Sequence, residues 1–144
     1  MLVINLPMPP STNALFAGNG RRRYKTKEYS AWIEEAGYAL NLQKPKLISG
    51  KVRLLIEVCE PKTAVAQDVT NRIKAAEDLL VRHGIIQGDD QRYVSSVTAE
   101  WSQHVDGIRI TITPLSCEVS TSDLLTDLRS KLRPMNIPRL NGKL

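Results

Sequence analysis

Four acidic and basic side chains in this chain have the types and spacing for phosphate chemistry. Asp68 stands just before Val69-Thr70-Asn71-Arg72-Ile73-Lys74, and Asp89-Asp90 follows after one helix length. Carboxylates from two segments can present hard oxygen donors to magnesium, which takes one or two protein carboxylates, keeps waters and accepts a phosphate oxygen. Such an ion polarises phosphorus and activates water, and a lysine at the position of Lys74 adds charge against the developing transition state. Each residue also has a plainer reading. Asp68 can cap a helix, Asp89-Asp90 can be an ordinary turn, and Lys74 can be a solvated lysine. Thr70 and Asn71 are capping residues too, so the helix does not require Asp68. Lysine in a first turn opposes the helix dipole, and a function would account for it. Thr70 suits a metal site least, being a neutral hydroxyl among carboxylates.

The elements that must position these residues follow from periodicity. Leu2 to Leu6 reads as a short strand, which the prolines of Met8-Pro9-Pro10-Ser11-Thr12-Asn13 cannot continue. A helix is expected from about Thr26, its candidate N-cap, to Leu42, with Tyr29, Trp32, Ile33, Ala36, Ala39 and Leu40 at helical spacing. Lys51 to Glu60 alternates as a strand, and Pro61 ends it. A second helix is expected from Thr70 or Asn71 to His83, with Ile73, Ala76, Leu79, Leu80 and His83 inward, a left-handed Gly84 cap and Ile85 folding back. Tyr93 to Gln103 and Ile108 to Thr113 read as strands, and Asp106-Gly107 between them suggests a hairpin. The order predicts an α+β or α/β domain: a mixed sheet of about four strands packed by two main helices. The domain is expected to span residues 1–114. Residues 115–144 form a basic extension with a short amphipathic helix from Ser122 to about Leu132, bearing Leu124, Leu125, Leu128 and Leu132 on one side. That tail can dock on the domain, pair with a second subunit, follow DNA or stay unfolded.

Composition narrows the partners. The 144 residues carry a formal net charge of +5, which favours a polyanion. Arg21-Arg22-Arg23-Tyr24-Lys25-Thr26-Lys27 concentrates that charge; it is either a solvated loop or a backbone grip. No apolar run approaches the ~20 residues that span a bilayer, and the N-terminus lacks the charge of a signal peptide, so a cytoplasmic protein without membrane contact is expected. Cys59 and Cys117 have no metal-like spacing, and Cys59 in its apolar run reads as a buried reduced thiol. His83 and His104 read as structural.

Taken together, Leu6-Pro7-Met8-Pro9-Pro10-Ser11-Thr12-Asn13, the run Asp68-Val69-Thr70-Asn71-Arg72-Ile73-Lys74-Ala75, and Gly84-Ile85-Ile86 with Asp89-Asp90 resemble the RusA family of Holliday-junction resolvases. These are endonucleases of DNA recombination and repair, often carried by prophages. The first run looks like the family's opening strand and Pro-Pro-Ser-x-Asn turn, and the second like its Asp-x-Asp-Asn-x-x-Lys-Ala motif. The resemblance covers about residues 1–114 and excludes the tail. It implies a homodimer that binds four-way junction DNA and makes paired nicks with Mg2+, Mn2+ being able to substitute. Asp68 and Asp90 would be catalytic metal-binding carboxylates, Asp89 a supporting one, and Lys74 the catalytic lysine at the scissile phosphate. Arg21, Arg22, Arg23, Lys25 and Lys27, with Asn13 and Asn71, would contact DNA. The departure is Thr70, where the family pattern has aspartate. Either Asp89 or water replaces the lost ligand, or the chain is a binding-only relative, or it is a mutated form of an active enzyme.

Overall fold

A computed structural model describes residues 1–115. Strand β1 (Leu2–Leu6) leads through a 3-10 turn at Thr12–Ala14 into a small ribbon of β2 (Phe16–Ala17) and β3 (Tyr24–Lys25). Helix α1 (Lys27–Gln43), β4 (Val52–Cys59), a 3-10 turn at Val69–Arg72, α2 (Lys74–Arg82), β5 (Val94–Ser102) and β6 (Ile108–Pro114) follow, all within one unit, Met1–Pro114. The helix expected in the tail, and Cys117, lie outside the described residues.

The main sheet has the order β1-β6-β4-β5. β6 runs antiparallel to β1 and to β4, while β5 runs parallel to β4. This is the expected mixed sheet with two main helices in the α+β class. The pleat sends Val52, Leu54, Ile56 and Val58 to one face, level with Ile108, Ile110 and Ile112 of β6 and Ile4 and Leu6 of β1, and all are buried. Helix α1 supplies Tyr29, Trp32, Ala36 and Leu40 to that core, and α2 supplies Ala75, Ala76, Leu79 and Leu80. Each large aliphatic side chain buried in this way stabilises the fold by about 1.5–3 kcal/mol. The alternate face of β4 is partly open, so Cys59 is a half-buried free thiol rather than the fully buried one expected.

Side chains tie the helices to the sheet ends. Trp32 Nε1 donates to Pro7 O at 3.0 Å. The Gln43 amide bonds both Asn5 N (2.9 Å) and Asn5 O (2.7 Å), satisfying main-chain groups of edge strand β1. Thr26 caps α1 as expected, accepting from Tyr29 N at 3.2 Å, while its hydroxyl donates to Ala14 O at 2.6 Å.

Two further expectations need correction. β5 and β6 are not a hairpin: β4, the strand with the most apolar alternation, lies between them. The polar residues Ser95, Ser96, Thr98 and Glu100 leave β5 at the edge. The connection passes the end of β4, whose Cys59 N donates to Gly107 O and whose Glu60 N donates to Ser102 O. Gly107 takes φ +77° there, and a Cβ would sit 2.3 Å from Leu6 O. Second, α2 begins at Lys74 rather than at Thr70 or Asn71. Val69–Arg72 closes as a 3-10 turn instead, because its β-branched and short polar residues favour local turns over an extended α-helix. The basic run is spread over three elements: Arg21 and Arg22 lie in a 3-10 turn at the tip of the β2–β3 ribbon, Lys25 lies in β3 and Lys27 opens α1.

Candidate functional site

The site is assembled where the 3-10 turn, the head of α2 and the turn before β5 meet. The Pro-Pro turn after β1 supports the first of these. Arg72 Nη1 donates to Pro9 O at 3.0 Å and Nη2 to Gln67 Oε1 at 3.0 Å, while Thr12 Oγ1 donates to Asn71 O at 3.2 Å. Two segments far apart in the chain thus fix one another. Asn13 lies exposed in the Thr12–Ala14 turn, and Asn71 is half-buried with its main-chain carbonyl accepting from Thr12.

Asp68 is the N-cap of the 3-10 turn. Its Oδ1 accepts from Thr70 N at 3.0 Å and from Thr70 Oγ1 at 2.8 Å. The plainer capping role therefore belongs to Asp68 in addition to any other. The Thr70 hydroxyl occupies the space in which an aspartate would set a second carboxylate against Asp68. Like charges there would repel and favour a bound cation, whereas the hydroxyl donates to Asp68 and brings no charge.

Lys74 opens α2 and joins it to the second acidic segment. Its Nζ lies 3.0 Å from Asp78 Oδ1 and 3.2 Å from Asp89 Oδ2, fifteen residues along the chain. The hydrogen bond to Asp78, with that to Asp89, raises the Lys74 pKa against a smaller opposing effect of burial, so the ammonium stays charged. Glu77, half-buried on the next turn, has its carboxyl pKa raised by burial.

Asp90 is held separately. Its Oδ1 accepts from Arg92 N and Arg92 Nε, both at 2.9 Å, and its Oδ2 accepts from Arg92 Nη2 at 2.8 Å. These bonds hold its pKa at about 2. Its main-chain carbonyl receives Tyr93 N (3.0 Å) and Val94 N (2.9 Å), closing the turn. The Tyr93 ring lies over Gly88, where a Cβ would approach Tyr93 Cδ2 to 2.6 Å, so a side chain at 88 would displace the turn.

Lys74 and Asp89 are therefore brought into contact, and Asp68 stands at the N-cap of the 3-10 turn that leads into Lys74. No three acidic, histidine or cysteine side chains are grouped to hold an ion among the described residues. The donor chemistry nevertheless suits magnesium, which needs only one or two carboxylates, with water and phosphate completing the shell. Asp68 Oδ2 and Asp89 Oδ1 accept no hydrogen bond among the described residues, whereas both oxygens of Asp90 are taken by Arg92. Spacing alone did not reveal Asp78, Glu77 or Arg92. An i,i+4 Lys74–Asp78 pair was a readable signal; Arg92 at two residues from Asp90 was not, because its fold-back depends on the turn.

The basic ribbon lies beside this acidic group. Phe16 and Lys25 from the ribbon, Tyr29 of α1, and Asp78 and Arg82 of α2 line one groove of about 250 Å³. The Arg23 guanidinium lies 4.4 Å from the Phe16 ring centroid, and the Lys25 ammonium 6.0 Å from that of Tyr29. Arg21, Arg22, Arg23, Lys25 and Lys27 are all exposed.

The chain matches the family model for endodeoxyribonuclease RusA over residues 7–113. No curated protein matches it. The match begins at the proline turn, takes in the ribbon, the Asp68–Lys74 run and Asp89-Asp90, and ends in β6. This protein belongs to the RusA endodeoxyribonuclease family.

Proposed function

We propose that this endodeoxyribonuclease-family protein resolves four-way DNA junctions as a homodimer by paired, magnesium-dependent phosphodiester hydrolysis in recombination and repair. The observation that carries the reading is the contact of Lys74 Nζ with Asp89 Oδ2 at 3.2 Å, which draws the head of α2 and the acidic turn together. Asp68 and Asp90, with Asp89 in support, would hold magnesium, or manganese in its place. The ion when bound supplies Lewis-acid polarisation of the phosphate and a lowered water pKa. Lys74, kept charged by its two carboxylates, faces the phosphate oxygens and offsets the charge that builds on them. Asp78 and Asp89 orient its ammonium, so that it reaches the phosphate without first ordering a long side chain. Arg21, Arg22, Arg23, Lys25 and Lys27 on and beside the ribbon, with Asn13 and Asn71, hold the DNA backbone. Two sites related by a two-fold axis would cut strands of like polarity and leave ligatable duplexes. Residues 1–114 act as the nuclease domain and 115–144 as a basic extension. Among the described residues no helix is long and apolar enough to cross a membrane.

A second reading is favoured by one observation, the Thr70 Oγ1 hydrogen bond to Asp68 Oδ1 at 2.8 Å. With a neutral hydroxyl in place of an anionic ligand, the chain would bind branched DNA without cutting it. Asp90→Asn separates these readings from a mistaken site. The first expects cleavage to vanish while junction binding persists, and undiminished cleavage removes Asp90 from the mechanism.

A further inference from the structure

We propose that Arg92 is an internal counter-ion that occupies Asp90 in the DNA-free protein and passes to a backbone phosphate when DNA binds, releasing Asp90 to take metal. The inference rests on the reading of Asp90 as a metal ligand. Both Asp90 oxygens face the guanidinium, through Nε at 2.9 Å and Nη2 at 2.8 Å. That two-point fit is also the geometry by which arginine holds phosphate. The guanidinium takes a lone pair on each Asp90 oxygen and sets a positive charge against an incoming cation, so the Arg92 side chain and a metal compete for Asp90.

The turn itself does not need the guanidinium. Arg92 N donates to Asp90 Oδ1 at 2.9 Å, and Tyr93 N and Val94 N hold the Asp90 carbonyl. The Arg92 side chain is 70% exposed and that of Asp90 38%. An ion pair this exposed is weak and exchanges readily for another anion. The Arg92 guanidinium also lies over the Tyr93 ring, 5.2 Å from its centroid, a cation–π contact made at the surface of the turn.

The arrangement answers an electrostatic difficulty. Asp89 and Asp90 are adjacent carboxylates that would repel an approaching phosphate. Lys74 bonds Asp89, sharing its charge with Asp78, and Arg92 bonds Asp90, so both carboxylates of the turn face a cation that lessens their repulsion of DNA. Transfer of Arg92 to phosphate then couples DNA binding to metal loading.

The test uses the full chain without DNA and reads Mn2+ binding by calorimetry for the native protein, Arg92→Ala, Arg92→Lys and Arg92→Ala/Asp90→Asn. Arg92→Ala should bind Mn2+ about 30-fold more tightly, the fold-change given by one unit charge about 4 Å from a divalent ion at the dielectric of water. Arg92→Lys, keeping charge but losing the fork, should fall between, and the double variant should lose the gain. In a parallel titration of labelled four-way junction in EDTA, Arg92→Ala should lower affinity and reduce the salt slope by about 0.9. An unchanged slope overturns the transfer to phosphate. A Mn2+ gain that persists in the double variant overturns the competition for Asp90, since the effect is then general electrostatics. If Arg92→Ala gains nothing but adding Asp90→Asn weakens binding, the counter-ion inference fails and Asp90 remains a ligand. If neither change moves Mn2+ affinity, the ligand reading of Asp90 fails and the inference with it.

Discussion

Replacing Thr70 with aspartate should make the turn that bears Asp68 depend more strongly on metal. Thr70 Oγ1 now donates to Asp68 Oδ1 at 2.8 Å. An aspartate there loses that bond and sets a carboxylate close to Asp68. Two unit charges about 4 Å apart repel by ~1 kcal/mol in water and by ~4 kcal/mol at an effective dielectric of 20. Both residues are exposed, so the lower figure governs. The loss of the hydroxyl bond adds about 1 kcal/mol. Thr70→Asp without metal should therefore be about 1–2 kcal/mol less stable, a fall of several degrees in Tm for a domain of this size. A divalent cation between the two carboxylates should reverse that loss and carry Tm upward with concentration. The assay is a thermal melt of native and variant protein in EDTA and across a Mn2+ series. Equal melting in EDTA with no Mn2+ response in the variant would refute the reasoning, because Asp68 and residue 70 would then not face a common ion.

Three further outcomes rest on particular residues. Asp90 has a folded pKa of about 2, below the ~3.9 of an unfolded aspartate. Its pairing, exposed and screened by solvent, adds a small stability that is present above about pH 4 and lost as pH falls through 2; native protein and Arg92→Ala should differ slightly in urea midpoint at pH 6 and converge near pH 2. Gly107→Ala should cost at least about 2 kcal/mol, since φ is +77° and the new Cβ would meet Leu6 O at 2.3 Å; urea denaturation measures it. Replacing Arg21, Arg22 and Arg23 together with alanine should weaken junction binding across sequences. It should also lower the salt slope by about 0.9 for each DNA phosphate left unneutralised, as read by anisotropy at several salt concentrations.

Much of the fold was legible because it is written in local periodicity. Val52, Leu54, Ile56 and Val58 announce β4, Thr26 announces the start of α1, and Gly84 at φ +70° closes α2 with Ile85 N reaching back to Leu80 O. What was not legible depends on partners distant in sequence. Asp106-Gly107 has the chemistry of a tight hairpin, yet β4 competes for both flanking strands and wins by burying one whole face. At the site, the sequence pointed to Asp68, Lys74 and Asp89-Asp90 as one group. In the structure Lys74 joins Asp89, but Asp68 turns to Thr70 and Asp90 to Arg92. A carboxylate's nearest cation is decided by turn geometry, which spacing does not encode.

The most direct measurement is incubation of the purified protein with a labelled four-way junction in Mg2+ and then Mn2+, beside Thr70→Asp and Asp90→Asn. The proposed resolvase should make symmetric nicks with native protein, more of them with Thr70→Asp, and none with Asp90→Asn. Cutting by Thr70→Asp alone would keep the site and make the native chain a junction binder. Binding without cutting by native protein and Thr70→Asp alike would contradict the catalytic assignment of Asp68, Lys74 and Asp90.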